Sequence, residues 1–178
     1  LGLGWPNVLS LGRIVLIPAV VLLIAVDRPE ARWLALVVFV VGALSDLVDG
    51  YLARRHAMTT SVGAWLDPLS DKLFVIVPAI ALSLLEEFPW WAAAAIVLRE
   101  VAVSFLRWRL DRRGVSMPAS RAGKAKTLSQ VAAVGLSIAP LPSGSDGVVL
   151  AVVVVAVALT ILSGLEYLLT ERHRVETG

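Results

Sequence analysis

Residues 46–71 read DLVDGYLARRHAMTTSVGAWLDPLSD, and four of them are aspartates: Asp46, Asp49, Asp67 and Asp71. Apolar runs flank the stretch, 33–52 ending in the first pair of acids and 64–85 starting around the second. A helix rising 1.5 Å per residue crosses a bilayer in roughly 20 mostly apolar residues, the length of each run. The stretch therefore reads as two membrane helices joined by a short connection, with their acids gathered at the joined ends.

Four more runs of that kind lie outside it, at 7–26, 89–106, 122–141 and 148–169. The expected fold is all-α, an integral membrane protein of six transmembrane helices forming a single domain over 1–178. Composition agrees. Apolar residues make up 58% of the 178 and charged ones 17%, with a mean hydropathy of +0.82. Soluble domains carry about 25% charge. The loops are short and turn-like, as in Pro-Ser-Gly-Ser-Asp-Gly at 142–147, and no linker, low-complexity tract or repeat intervenes. No small-residue cleavage site follows the first run, so no cleavable leader is expected.

Basic residues orient the helices. Eleven Lys and Arg fall in the 54–55 and 107–126 connections and the C-terminal tail, against Arg28 and Arg32 alone on the opposite side. The positive side faces the cytoplasm, which places both termini and the acids there, in a multi-pass protein of the cell membrane. All six tryptophans fall near span ends, as interfacial anchors do. Cysteine is absent, which excludes disulfides, thiolate catalysis and zinc–thiolate sites. The only histidines are His56 and His173, so carboxylates are the candidate metal ligands. No nucleic-acid partner is expected.

Placing one acid at the centre of a membrane helix costs roughly 2.5–3.5 kcal/mol, and four unpaired ones cost about 10 by addition. These acids need cations or water. Asp46, Asp49 and Ala53 share one helix face, and Gly63, Asp67 and Asp71 share another. On antiparallel neighbours both faces can converge on one pocket. Hard oxygen ligands without His or Cys favour Mg²⁺ or Mn²⁺, and four carboxylates suit two ions about 3.5–4 Å apart, the clamp used in phosphoryl transfer. The alternatives are ion pairs with Arg54, Arg55 and Lys72, or a proton or cation pathway. Gly50, Ala53 and Gly63 weigh against these, because small residues beside the acids allow a nucleotide close to the backbone.

Asp46, Asp49, Gly50, Ala53 and Arg54, then Gly63, Asp67 and Asp71, resemble the full signature of the CDP-alcohol phosphotransferases: eight fixed positions across 26 residues. The resemblance implies a pocket open to the cytoplasm and to lipid, two divalent ions on the four aspartates, and a homodimer. It further implies that Asp71 is the general base and that Asp49, Gly50, Ala53, Arg54 and Gly63 line the CDP site.

A second cluster follows at Arg99-Glu100, at Arg107, Arg109, Arg112 and Arg113, and from Arg121 through Lys124 to Lys126. A positive loop touching anionic lipid accounts for Arg112 and Arg113. Arg99 and Glu100 interrupt an apolar span and so need partners or a function. Of 16 basic residues only Lys72, Lys124 and Lys126 are lysine, which points to a use for a compact ammonium. The runs at 67–72 and 123–130, with Arg99-Glu100 and 6–13, resemble one branch of the family, the phosphatidylglycerophosphate synthases. That likeness implies CDP-diacylglycerol as donor and glycerol 3-phosphate as acceptor. The acceptor's phosphate would meet Lys124 and Lys126 at a helix N-terminus, completed by Arg99 and Arg121. Arg121 stands where an apolar or aromatic residue is expected. The rival within the family is a cardiolipin synthase using phosphatidylglycerol. Outside it, the rival is a small cation or proton transporter, which needs no nucleotide.

Overall fold

The computed structural model describes the backbone of residues 5–56, 63–112 and 121–176, and the side chains of 11–45, 69–112 and 122–169. Six helices follow in order: α1 Trp5–Ala25, α2 Pro29–His56, α3 Gly63–Leu84, α4 Trp90–Asp111, α5 Arg121–Ile138 and α6 Asp146–Glu176. No strand occurs among the described residues. Helix starts follow local chemistry. Pro29 opens α2, where a missing N–H costs nothing, and Glu30 in the first turn meets the positive helix end. Pro89 caps α4 in an extended conformation, and Asp146 lies in the first turn of α6. At the end of α3 the Glu87 amide donates to the Leu82 carbonyl (2.9 Å) and the Glu86 amide to that of Ser83 (3.2 Å). This Schellman-type closure puts Glu86 at φ +61°, a left-handed position usually given to glycine.

The chain divides into two compact units, Leu1–Phe88 with Val134–Pro142, and Pro89–Ala133 with Ser143–Gly178. In the first, α1 packs along both α2 and α3, while α2 and α3 meet over a shorter stretch. Ile17, Val20 and Ile24, at i, i+3 and i+7, form the buried stripe of α1. Phe39 of α2 stacks on Phe74 of α3, with centroids 5.4 Å apart and planes 2° from parallel. At one end, buried Arg32 forks onto Glu87, with both contacts at 2.5 Å, and reaches Asp27 at 3.3 Å. One guanidinium thus ties the α1–α2 turn, the start of α2 and the α3–α4 turn. The hydrogen bonds that Arg32 donates to Glu87 outweigh desolvation and raise the Arg32 pKa above its usual value, so the guanidinium stays charged.

In the second unit α4 packs on α6, and Val103, Leu106, Leu110 and Tyr167 form a buried cluster. The surface is apolar: Leu22, Val37, Leu98, Val101, Val148 and Leu162 are exposed, whereas Arg13, Arg32, Glu100, Lys126 and Gln130 are buried. That reverses the pattern of a water-soluble monomer. Among the described residues, Asp146–Leu169 is the one helix long and apolar enough to cross a membrane on those criteria, and Leu11–Ala25 is a shorter apolar helix. In α4 the apolar run is interrupted by Arg99, Glu100, Arg107, Arg109 and Asp111.

Candidate active site

The aspartate helices meet at Gly42. A Cβ there would lie 2.3 Å from Cζ of Phe74, so only glycine lets this ring seat against α2. Counting from that contact, positions 42, 46, 49 and 53 follow one another at i, i+4, i+7 and i+11 along one face of α2. Positions 63, 67, 71 and 74, at i, i+4, i+8 and i+11, likewise share one face of α3. The α2–α3 contact and the four acid positions therefore share the same two helix faces, with the acids beginning one turn away on each. The side chains of Asp46, Asp49, Gly50, Ala53, Arg54, Gly63 and Asp67 lie outside those described. Among the described residues no group of three His, Asp or Glu side chains is gathered as a metal site.

Asp71 is described, and it has a partner that the sequence reading left unassigned. Arg13 of α1, 4% exposed, donates through Nη1 to Oδ1 of Asp71, whose side chain is 37% exposed. The helix that packs along both α2 and α3 thus delivers a buried guanidinium to the expected general base. A signal was present, since Arg13 interrupts an apolar run just as the acids do. Its partner lies 58 residues away, and no local spacing links the two.

The donor set suits the ions that the sequence implies. Of the four aspartates the side chain of Asp71 alone is described, and carboxylate oxygen with no cysteine sulfur in the sequence is the ligand chemistry of a hard divalent cation. Asp71 keeps partial solvent exposure through which such an ion or a substrate hydroxyl can reach it.

In the second unit, Lys126 of α5 and Arg99 of α4 meet on one oxygen, Oε1 of Glu100, Arg99 through Nη1 at 3.0 Å. Glu100 and Lys126 are each 6% exposed. Nη2 of Arg99 also donates to Oγ of Ser163 on α6 (3.0 Å), and Gly164 beside it leaves room for the arginine stem. One turn along α5 from Lys126, Gln130 donates to Thr160 of α6 (2.8 Å). Arg107 donates to the hydroxyl of Tyr167 and lies 4.9 Å from that ring's centroid. Of the expected acceptor residues, buried Lys126 and half-buried Arg99 are brought together and already paired. Lys124 is exposed, because a separation of two residues turns it to another side of the helix. The side chain of Arg121 lies outside those described. Arg112 sits over the ring of Trp108 at 4.2 Å, apart from this cluster.

Comparison with known proteins agrees with this geometry. The profile of the CDP-alcohol phosphatidyltransferase family matches residues 3–162. A probable phosphatidylglycerophosphate synthase of Mycobacterium tuberculosis is 37% identical over 164 residues, covering 90% of this chain and 78% of the relative. The CDP-diacylglycerol--glycerol-3-phosphate 3-phosphatidyltransferase of Rickettsia typhi is 37% identical over 168 residues, covering 91% and 93%. The enzyme of the same name from Pectobacterium atrosepticum is 37% identical over 175 residues, covering 94% of each chain. With the aspartate register on two facing helices and a family match over most of its length, this chain belongs to the CDP-alcohol phosphatidyltransferase family.

Proposed function

We propose that the chain transfers the phosphatidyl group of CDP-diacylglycerol to glycerol 3-phosphate, giving phosphatidylglycerophosphate and CMP. The observation that carries this reading is the meeting of Lys126 and Arg99 on Glu100 in a chain whose expected base, Asp71, is held by Arg13. An acceptor with a phosphate monoester needs fixed positive charge, and a neutral-headed acceptor does not. The names of the relatives at 37% identity support the same donor and acceptor.

In this reading Asp71 takes the proton from the primary hydroxyl of glycerol 3-phosphate as that oxygen attacks the phosphorus of the donor. Arg13 holds the Asp71 carboxylate in one orientation through a charge-assisted hydrogen bond. Lys124, Lys126, Arg99 and Arg121 bind the acceptor's phosphate, while Asp49, Gly50, Ala53, Arg54 and Gly63 line the CDP site. Asp46, Asp49, Asp67 and Asp71 would hold two Mg²⁺ or Mn²⁺ ions. When bound, these ions supply neutralisation of the pyrophosphate and of the departing CMP. CMP should therefore bind with divalent metal present and be lost on adding chelator. Metal-independent CMP binding, or none under any condition, counts against the site.

The same proposal makes the chain a homodimeric protein of the cell membrane, crossing it six times with both termini in the cytoplasm. The exposed apolar residues along α1, α2, α4 and α6 and the basic asymmetry of eleven to two support it. Because the sequence contains no cysteine, single cysteines report topology cleanly. Ser145→Cys should react with an impermeant thiol reagent in intact cells and Thr177→Cys should not. Labelling at 177 without labelling at 145 contradicts the orientation.

A further inference from the structure

We propose that Glu100 is the positioning residue of the acceptor site, a buried carboxylate that fixes Lys126 and Arg99 as one phosphate-binding pair. The inference rests on the reading of glycerol 3-phosphate as acceptor. Lys126 and Arg99 come from different helices and 27 positions apart, yet both donate to Oε1 of Glu100. Two like charges do not settle side by side in an apolar bundle without an anion between them, because their repulsion is screened least where water is excluded. Glu100 supplies that anion from the position next to Arg99.

Glu100 thus holds an ammonium and a guanidinium on a single oxygen. Nε of Arg99 is also buried, with no hydrogen-bond partner among the described residues, in a side chain only 10% exposed. Two converging cations, one with an unmet N–H, suit an anion with several oxygens, and a phosphate monoester is one. Ser163 and Gly164 complete the seat by fixing Nη2 and admitting the stem of Arg99.

The alternative role is mechanical, with the pair serving to tie α5 to its neighbours. A second tie on the same helix separates the two readings: Gln130, one turn on, bonds Thr160 and carries no charge. If Glu100 positions the cations, Glu100→Gln should raise the glycerol 3-phosphate KM by about tenfold or more, as misplaced binding groups do. The KM for CDP-diacylglycerol and metal-dependent CMP binding should stay within about twofold, since that binding is made elsewhere. Gln130→Leu should leave the acceptor KM within the same margin. Adding Glu100→Gln to Lys126→Ala should cost little more than Lys126→Ala alone, because the two act as one unit. Should Glu100→Gln not fold, Ser163→Ala tests the same seat without removing a charge, and a selective rise in acceptor KM is again expected.

Equal changes in both KM values, or the same effect from Gln130→Leu, would overturn the positioning role in favour of the tie. If Lys126→Ala raises the acceptor KM and Glu100→Gln does not, Glu100 loses its role while the acceptor reading stands. If glycerol 3-phosphate is not an acceptor for the unaltered protein, both readings fail together, and that assay is run first.

Discussion

Asp71→Asn is expected to reduce kcat by about a thousandfold or more while the helical bundle remains folded, since a positioned general base contributes roughly 10²–10⁴. Asparagine keeps the shape of the side chain and still accepts a hydrogen bond from Arg13. What it loses is the negative charge and the capacity to take a proton. Asp46→Asn, Asp49→Asn and Asp67→Asn should bring losses of similar size, and double variants little more, because ligands that hold one metal pair act as a unit. The Asp71 variant should also lose metal-dependent binding of CMP, a readout that does not require turnover. Full activity of Asp67→Asn or Asp71→Asn in the presence of chelator would remove the two-metal reading.

The second large effect is expected where the two aspartate helices touch. In Gly42→Ala the new methyl would sit 2.3 Å from Cζ of Phe74, far inside contact distance. Phe74 is buried and stacked against Phe39, so the ring has nowhere to move without parting the helices. Overpacking of this kind costs about 1–3 kcal/mol. Its effect on rate should exceed its effect on stability. The acids begin one turn from the contact on each helix, and a displacement of about 1 Å at a catalytic array can cost 10²-fold. Phe74→Leu in the Gly42→Ala background removes the colliding atoms and should recover most of the activity. Unchanged activity and melting of the single variant would show that α2 and α3 are not held in register here.

Hydropathy located all six helices, because each carries an apolar run, but it did not locate their ends. The run at 33–52 lies inside Pro29–His56, and 148–169 inside Asp146–Glu176, since helices continue as charged turns beyond the apolar depth. The run at 122–141 overshoots in the other direction. Its helix stops at Ile138, just before Pro140 and Pro142, whose rings disfavour helical backbone in the residue ahead. Within the site, the spacing of the acids was legible because facing positions on a helix recur every three to four residues. Arg13 on Asp71 and Lys126 on Glu100 were not legible as pairs. Such pairs join different helices, and only packing decides which cation meets which acid. Lys126 was expected to present its ammonium to a phosphate, and the structure seats that ammonium on buried Glu100.

The measurement that bears most directly on the central claim is the product formed by the purified protein. It would be supplied with CDP-diacylglycerol, Mg²⁺ and isotope-labelled glycerol 3-phosphate, and in parallel with labelled phosphatidylglycerol. Labelled phosphatidylglycerophosphate with one CMP released per transfer is the expected result, with no product from phosphatidylglycerol. Cardiolipin formed from phosphatidylglycerol, with no label transferred from glycerol 3-phosphate, would contradict the assigned acceptor while leaving the family membership in place.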